Sequence, residues 1–239
     1  LPGDYLCGGT ILSNKWVITA AHCLFDDSFQ RIDTSQISIR AGSTNPYGTN
    51  VSNYRVDSII LHQKYNGGSY LYDIALLRIR DSIDTENAEP IEFIIQEDVE
   101  NGATDPGVLS WVTGWGLTNV EPDDFPFILQ KVQLPIVSNE TASDVWGGLH
   151  PSFLMAGYEN SEKDACSGDS GGPLVVPVGE GYKLAGIVSW GSKNCDTYGA
   201  YTRISDYQDW VKERTGIGDE LKPGIPKGET VLCEGVNLS

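Results

Sequence analysis

Positive charge is scarce in this chain, and long apolar runs are absent. Sixteen Lys and Arg stand against 33 Asp and Glu, a formal net charge of −17 over 239 residues. That balance argues against a basic face that could hold a nucleic-acid backbone. Acidic surfaces usually just keep a chain soluble, though they also attract basic substrates, and adaptation to high salt would leave the same composition. No stretch approaches the ~18 apolar residues of a membrane span, and no signal peptide is visible. Helical periodicity is scarce before residue 204, and no internal repeat shows. What is present is 40% hydrophobic, with 27 Gly and 12 Pro. This describes a soluble globular protein with room for two compact cores or one large one.

Short apolar stretches recur with turn residues between them: WVITAA, ISIRAG, SIILH, IALLRI, VLSWVTGWG, KLAGIVSW and AYTRI. The pattern is all-β, and alone it leaves sandwich and barrel open. One helix is expected at the end. Ser205 is placed to cap it, with Gln208 completing a capping-box pattern. Ile204, Tyr207 and Val211 share one face, and Gly216 stops it. Residues 217–239 follow, rich in Gly and Pro and without periodicity, and read as a linker or tail.

The chemistry concentrates in Lys163–Pro173, KDACSGDSGGP. Ser170 sits among Gly168, Gly171 and Gly172, and glycine lets backbone approach a substrate closely. A serine hydroxyl is a poor nucleophile alone and needs a base, usually a histidine steered by a carboxylate. Candidates lie upstream: His22 in TAAHC and Asp73 in YDIALLRI. Taken singly, each has a plainer reading. GDSGG can be a flexible turn, His22 a packed ring near a disulfide, and Asp73 a strand-edge cap. His62 and His150 match no motif and are expected at the surface.

Together, these segments resemble a chymotrypsin-fold serine protease of the trypsin-like family. The matching stretches are CGGTILSNKWVITAAHC at 7–23, DIALLRI at 73–79, TGWG at 113–116, the serine segment, IVSWG at 187–191 and GAYTRISDYQDWV at 199–211. The resemblance covers about residues 1–216. It implies two six-stranded antiparallel β-barrels and a C-terminal helix, with the site in the cleft between the barrels. Barrel one would span about 1–100, barrel two about 101–204 and the helix 205–216. The crossing is expected near Pro90 to Asp105. Family members begin earlier than this chain does, so the family's first strand is expected upstream of residue 1.

The resemblance also implies roles. Ser170 is the nucleophile, His22 the general base and then acid, and Asp73 the group that holds the imidazole tautomer. The amides of Gly168 and Ser170 form the oxyanion hole. Asp164, six residues before Ser170, matches the base of the specificity pocket and selects Arg or Lys; a surface Asp beside Lys163 is the plainer alternative. Ala165, Gly191 and Gly199 belong to the same pocket. The Ser189–Trp190–Gly191 backbone pairs with substrate as an added strand. Asp169 is the expected partner of an N-terminal ammonium released by activation cleavage of a zymogen. A catalytically inactive homologue that serves as a binding module is the rival reading.

Five cysteines are present. By resemblance, Cys7 pairs with Cys23 and Cys166 with Cys195, which implies an oxidising, extracellular compartment. Two other family bridges are each missing as a pair, replaced by Ser110 with Val176 and by Ala142 with Met155. Cys233 is left over, either a free thiol or paired outside the chain. Many vertebrate relatives bind calcium in the loop matching residues 43–53, STNPYGTNVSN, which here has no Asp or Glu. Calcium favours carboxylate oxygens among its ligands, so no metal and no cofactor is expected. The expected partners are protein or peptide substrates and proteinaceous inhibitors, met by a monomer.

Overall fold

The computed structural model describes residues 5–83, 88–120, 123–161, 163–217 and 230–235. The first half contributes β1 (Tyr5–Ser13), β2 (Trp16–Thr19), β3 (Ile37–Ala41), β4 (Ser52–Leu61) and β5 (Ala75–Ile79). Then come α1 (Gln96–Glu100), β6 (Leu109–Gly114), β7 (Asn119–Val120), β8 (Asp123–Asp124) and β9 (Gln130–Val137). After these lie α2 (Asn139–Trp146), β10 (Phe153–Ala156), β11 (Pro173–Val178), β12 (Gly181–Trp190) and β13 (Gly199–Arg203). The chain ends with α3 (Gln208–Thr215) and β14 (Thr230–Gly235).

Two closed antiparallel barrels result. The first has strand order β1-β14-β3-β4-β5-β2 and the second β10-β13-β12-β11-β6-β9. Period-two patterning explains the strands. In β3, Ile37, Ile39 and Ala41 are buried while Ser38 and Arg40 turn outward, as successive side chains of a strand must. The first core gathers Ile11, Leu12, Ile18, Ile39, Leu76 and Leu77; the second gathers Val112, Leu134, Leu154, Leu174 and Val176. Each fully buried aliphatic side chain contributes ~1.5–3 kcal/mol relative to exposure.

The composition of residues 217–239 suggested a tail, but part of it is strand. Thr230–Gly235 forms β14, which lies between β1 and β3 with Cys233 opposite both Cys7 and Ile39. It fills the sixth place in the first barrel. Its short β-prone run, TVLCEG, is hidden in sequence by the Gly and Pro around it. Residues 218–229 lie outside the described part.

The crossing between barrels is stapled to both. Ile91 N–H donates to Ile11 O, Ile94 N–H to Leu184 O, and Leu184 N–H back to Glu92 O. Lys183 Nζ reaches Asp98 at 3.0 Å, tying α1 to β12. Both α1 and α2 fall where sequence periodicity gave no helix, because each is too short to show it. The helix start also differs from expectation. Ser205 lies buried inside a 3₁₀ turn, Ile204–Tyr207, and α3 begins at Gln208 with no side-chain cap. The chain passes straight from β13 into that turn, so no free helix end is left for Ser205 to cap. Gly216 ends α3 in the left-handed conformation, φ 71°, as expected.

His62 is buried, against expectation. It stacks on Tyr72 with ring centroids 4.9 Å apart and meets Tyr207 and Trp210. Burial, with Lys64 and Arg214 nearby, pushes its pKa down. Where the missing bridges would lie, Ala142 and Met155 pack in one apolar cluster, and the buried Ser110 Oγ donates to Leu134 O at 2.6 Å.

Candidate active site

His22 opens a 3₁₀ turn, His22–Leu24, at the end of β2. A disulfide from Cys23 to Cys7 pins this turn to β1. Asp73 lies just before β5 and is wholly buried. Two residues before it, Tyr70 and Tyr72, hold left-handed backbones at φ 53° and 60°. Such conformations cost ~1–3 kcal/mol each and collect at functional sites.

The Asp73 carboxylate is fully engaged. Oδ1 accepts the His22 backbone N–H at 2.8 Å, and Oδ2 lies 2.8 Å from His22 Nδ1. Oδ2 also accepts the Ser189 hydroxyl at 2.6 Å, and the Asp73 carbonyl accepts Thr202 Oγ1 at 2.7 Å. An Asp that takes both bonds from one histidine fixes its ring. Nδ1 carries the proton toward the carboxylate, and Nε2 is left as the basic nitrogen.

Ser170 reaches the same place from the second barrel. Its carbonyl accepts from Gly8 N–H on β1 at 2.7 Å, while the neighbouring Gly171 N–H donates to Val188 O on β12 at 2.8 Å. The serine turn is therefore fastened to both barrels. Gly171 holds φ 79°, and a Cβ there would lie 2.5 Å from Gly8 O, so only glycine permits this approach. Gly168 is likewise left-handed at φ 99°. Among the described residues no hydrogen bond joins Ser170 Oγ to His22, whose Nε2 lies 3.8 Å from Cys23 Sγ. Such bonds often tighten only once substrate is bound.

A cavity of about 160 Å³ opens beside Ser170, walled by Ala165, Trp190, Gly191, Cys195, Gly199 and Tyr201. The disulfide Cys166–Cys195 closes its rim. Gly191 and Gly199 stand face to face, a Cβ on the first lying 3.7 Å from the second's Cα. Asp164 sits directly behind Gly199, its Oδ1 3.3 Å from where a Gly199 Cβ would be. Burial raises the Asp164 pKa to about 7, assisted by the charges of Asp169 and Asp196 and opposed by the Ala165 N–H.

Residues 2–211 match the family model Trypsin. The chain belongs to the trypsin family of serine proteases. Its two barrels and C-terminal helix are those of that family.

Asp169 explains the TGWG motif of this trypsin-family member. Its carboxylate accepts the amides of Gly116 at 2.8 Å and Cys166 at 2.9 Å, and burial pushes its pKa up. A Cβ on Gly116 would lie 2.5 Å from its Cγ. Between the two glycines, Trp115 turns away and donates Nε1–H to Thr44 O.

Sequence reading missed three participants. Ser189 was singled out for its backbone, yet its hydroxyl holds Asp73. A β-bulge between Val188 and Trp190 leaves Ser189 unpaired in the ladder, and bulges re-aim side chains beside active sites. Tyr201 places a buried hydroxyl at the pocket wall with no hydrogen-bond partner among the described residues; its position two residues after Gly199 on one strand face was the available signal. Trp146 of α2 meets Trp190 edge-on at 5.2 Å and donates to Tyr198 O, a contact no motif announces.

Proposed function

We propose that the chain is a secreted serine endopeptidase that cleaves after Arg or Lys through an acyl-enzyme. The observation that carries this reading is the buried Asp73 carboxylate bonded to His22 Nδ1 at 2.8 Å, on the barrel facing Ser170. Ser170 Oγ attacks the scissile carbonyl as His22 Nε2 takes its proton. The tetrahedral oxyanion rests on the Gly168 and Ser170 amides. Collapse expels the amine, which takes the proton from His22. Water, activated by the same ring, then releases the acid and restores Ser170. Asp73 stabilises the imidazolium throughout.

Asp164 behind Gly199 supplies the counter-charge for a long cationic side chain. The Ser189–Gly191 backbone aligns the substrate strand. Asp169 is the seat for an ammonium freed by activation cleavage, and two disulfides suit an extracellular setting. The experiment uses activated protein. A serine-directed phosphonylating reagent labels Ser170, and Ser170→Ala abolishes hydrolysis of Arg peptides beyond a small residual rate. Near-normal turnover in Ser170→Ala overturns the reading. An unlabelled, inactive protein with the fold intact identifies a binding module instead.

A further inference from the structure

Beside His22, and sharing no lining residue with the specificity cavity, lies a larger cleft of about 610 Å³. Two loops form it. The 25–30 loop is folded around the Asp26 carboxylate, whose Oδ1 accepts the Ser28 and Gln30 amides at 2.9 and 2.8 Å. The 65–71 loop is held by Asn66, which accepts the Gly68 amide on Oδ1 and donates its own N–H to Leu71 O.

Each loop presents aromatic rings. Phe25 and Tyr65 meet at 5.6 Å across the cleft floor. Tyr70 stands edge-on to His22 at 5.7 Å. Phe29 is 79% exposed, which is unusual for a phenylalanine with no role. Phe29 and Tyr70 both sit in left-handed backbone, φ 57° and 53°; the fold accepts strain at the two rings that flank the mouth. Asp26 and Asp27 add carboxylates to the lining, and neither Lys nor Arg is among the residues that line it. Aromatic faces joined to carboxylates are the chemistry that holds an organic cation.

We infer that this cleft binds a second cationic side chain, that of the substrate residue immediately before the Arg or Lys in the Asp164 pocket. The inference rests on the protease reading above. Successive side chains of an extended strand point to opposite sides, so when one fills the Asp164 pocket its neighbour faces across toward His22. Leu71, next to Tyr70, packs in the same cluster as Trp190. The cleft thus borders the part of the substrate that runs along Trp190, on the amino side of the scissile bond. The protein selects paired basic residues.

The test uses fluorogenic peptides with Arg at the cleaved position. The residue before it is Lys, norleucine (the same length without charge), Ala or Glu. The expected order of kcat/KM is Lys above norleucine by about tenfold, near 1.4 kcal/mol, with Glu lowest. Asp27→Asn should shrink the Lys-to-norleucine ratio, and 1 M salt should shrink it in the parent. Phe29→Ala should lower Lys and norleucine together relative to Ala. A Lys-to-norleucine ratio of one or below, with Arg peptides still cleaved, overturns the cleft assignment alone. A ratio insensitive to Asp27→Asn and to salt overturns the role of the carboxylates. Failure to cleave after Arg in every peptide overturns the protease reading itself.

Discussion

Ser189 Oγ donates to Asp73 Oδ2 at 2.6 Å, so a residue of the second barrel holds the carboxylate that orients His22 on the first. A hydrogen bond to a buried charge is worth ~1.5–3 kcal/mol. Ser189→Ala should lower kcat by about tenfold with KM nearly unchanged, since the substrate-pairing backbone remains. Steady-state kinetics check both parts; a change confined to KM would place Ser189 in substrate binding alone.

Asp164 should make cation binding pH-dependent. Its pKa, raised to about 7, leaves the empty pocket half-neutral near that pH. Below it, affinity for a benzamidinium cation should fall about tenfold per pH unit. Calorimetry on His22→Ala removes the contribution of His22, and Asp164→Asn should bind weakly at every pH. Stability moves oppositely. A carboxyl with a raised folded value adds nothing unfavourable below its unfolded value, and its cost grows as pH rises from about 4 through 7.

Ala165 should tilt the pocket toward arginine. A hydroxyl at this position could accept from a lysine ammonium that falls short of Asp164, whereas a guanidinium is longer and pairs with two bonds. Ala165→Ser should therefore raise kcat/KM for Lys peptides more than for Arg peptides. Matched peptides give the ratio, and an unchanged one removes Ala165 from specificity.

Gly116→Ala should destabilise the protein by ~1–3 kcal/mol, because the new methyl would lie 2.5 Å from Asp169 Cγ. Displacing Asp169 also disturbs the turn carrying Gly168 and Ser170, so turnover should fall with stability. Urea titration and an Arg-ester assay read the two; a stable, fully active variant would show that Asp169 can move freely.

The all-β class was legible because short apolar strands alternate with turns, and the serine segment because close-approach glycines leave local marks; that the strands close into two barrels was implied only by the family resemblance. GDSGGP carries glycines that Gly8 and Asp169 demand. His62, by contrast, looked like a surface residue, since nothing nearby in sequence reveals that Tyr72, Tyr207 and Trp210 converge on it. The Ser189 hydroxyl was hidden for the same reason: Asp73 lies 116 residues away. Strand β14 was missed because its pairing partners are at the opposite end of the chain. Tyr70 and Phe29 gave no signal, as left-handed backbone in a bulky residue is set by the loop and not by its own preference.

The Thr202 and Ser189 bonds to Asp73, with the crossing strapped to Ile11 and Leu184, give the chain a built-in gauge of how its halves are docked. A slip of one barrel against the other by little more than a hydrogen-bond length would release His22 while the strand ladders of each barrel stay closed. Turnover therefore reports the seam, while spectroscopic signals report the barrels. Mild denaturant should silence the first before it disturbs the second.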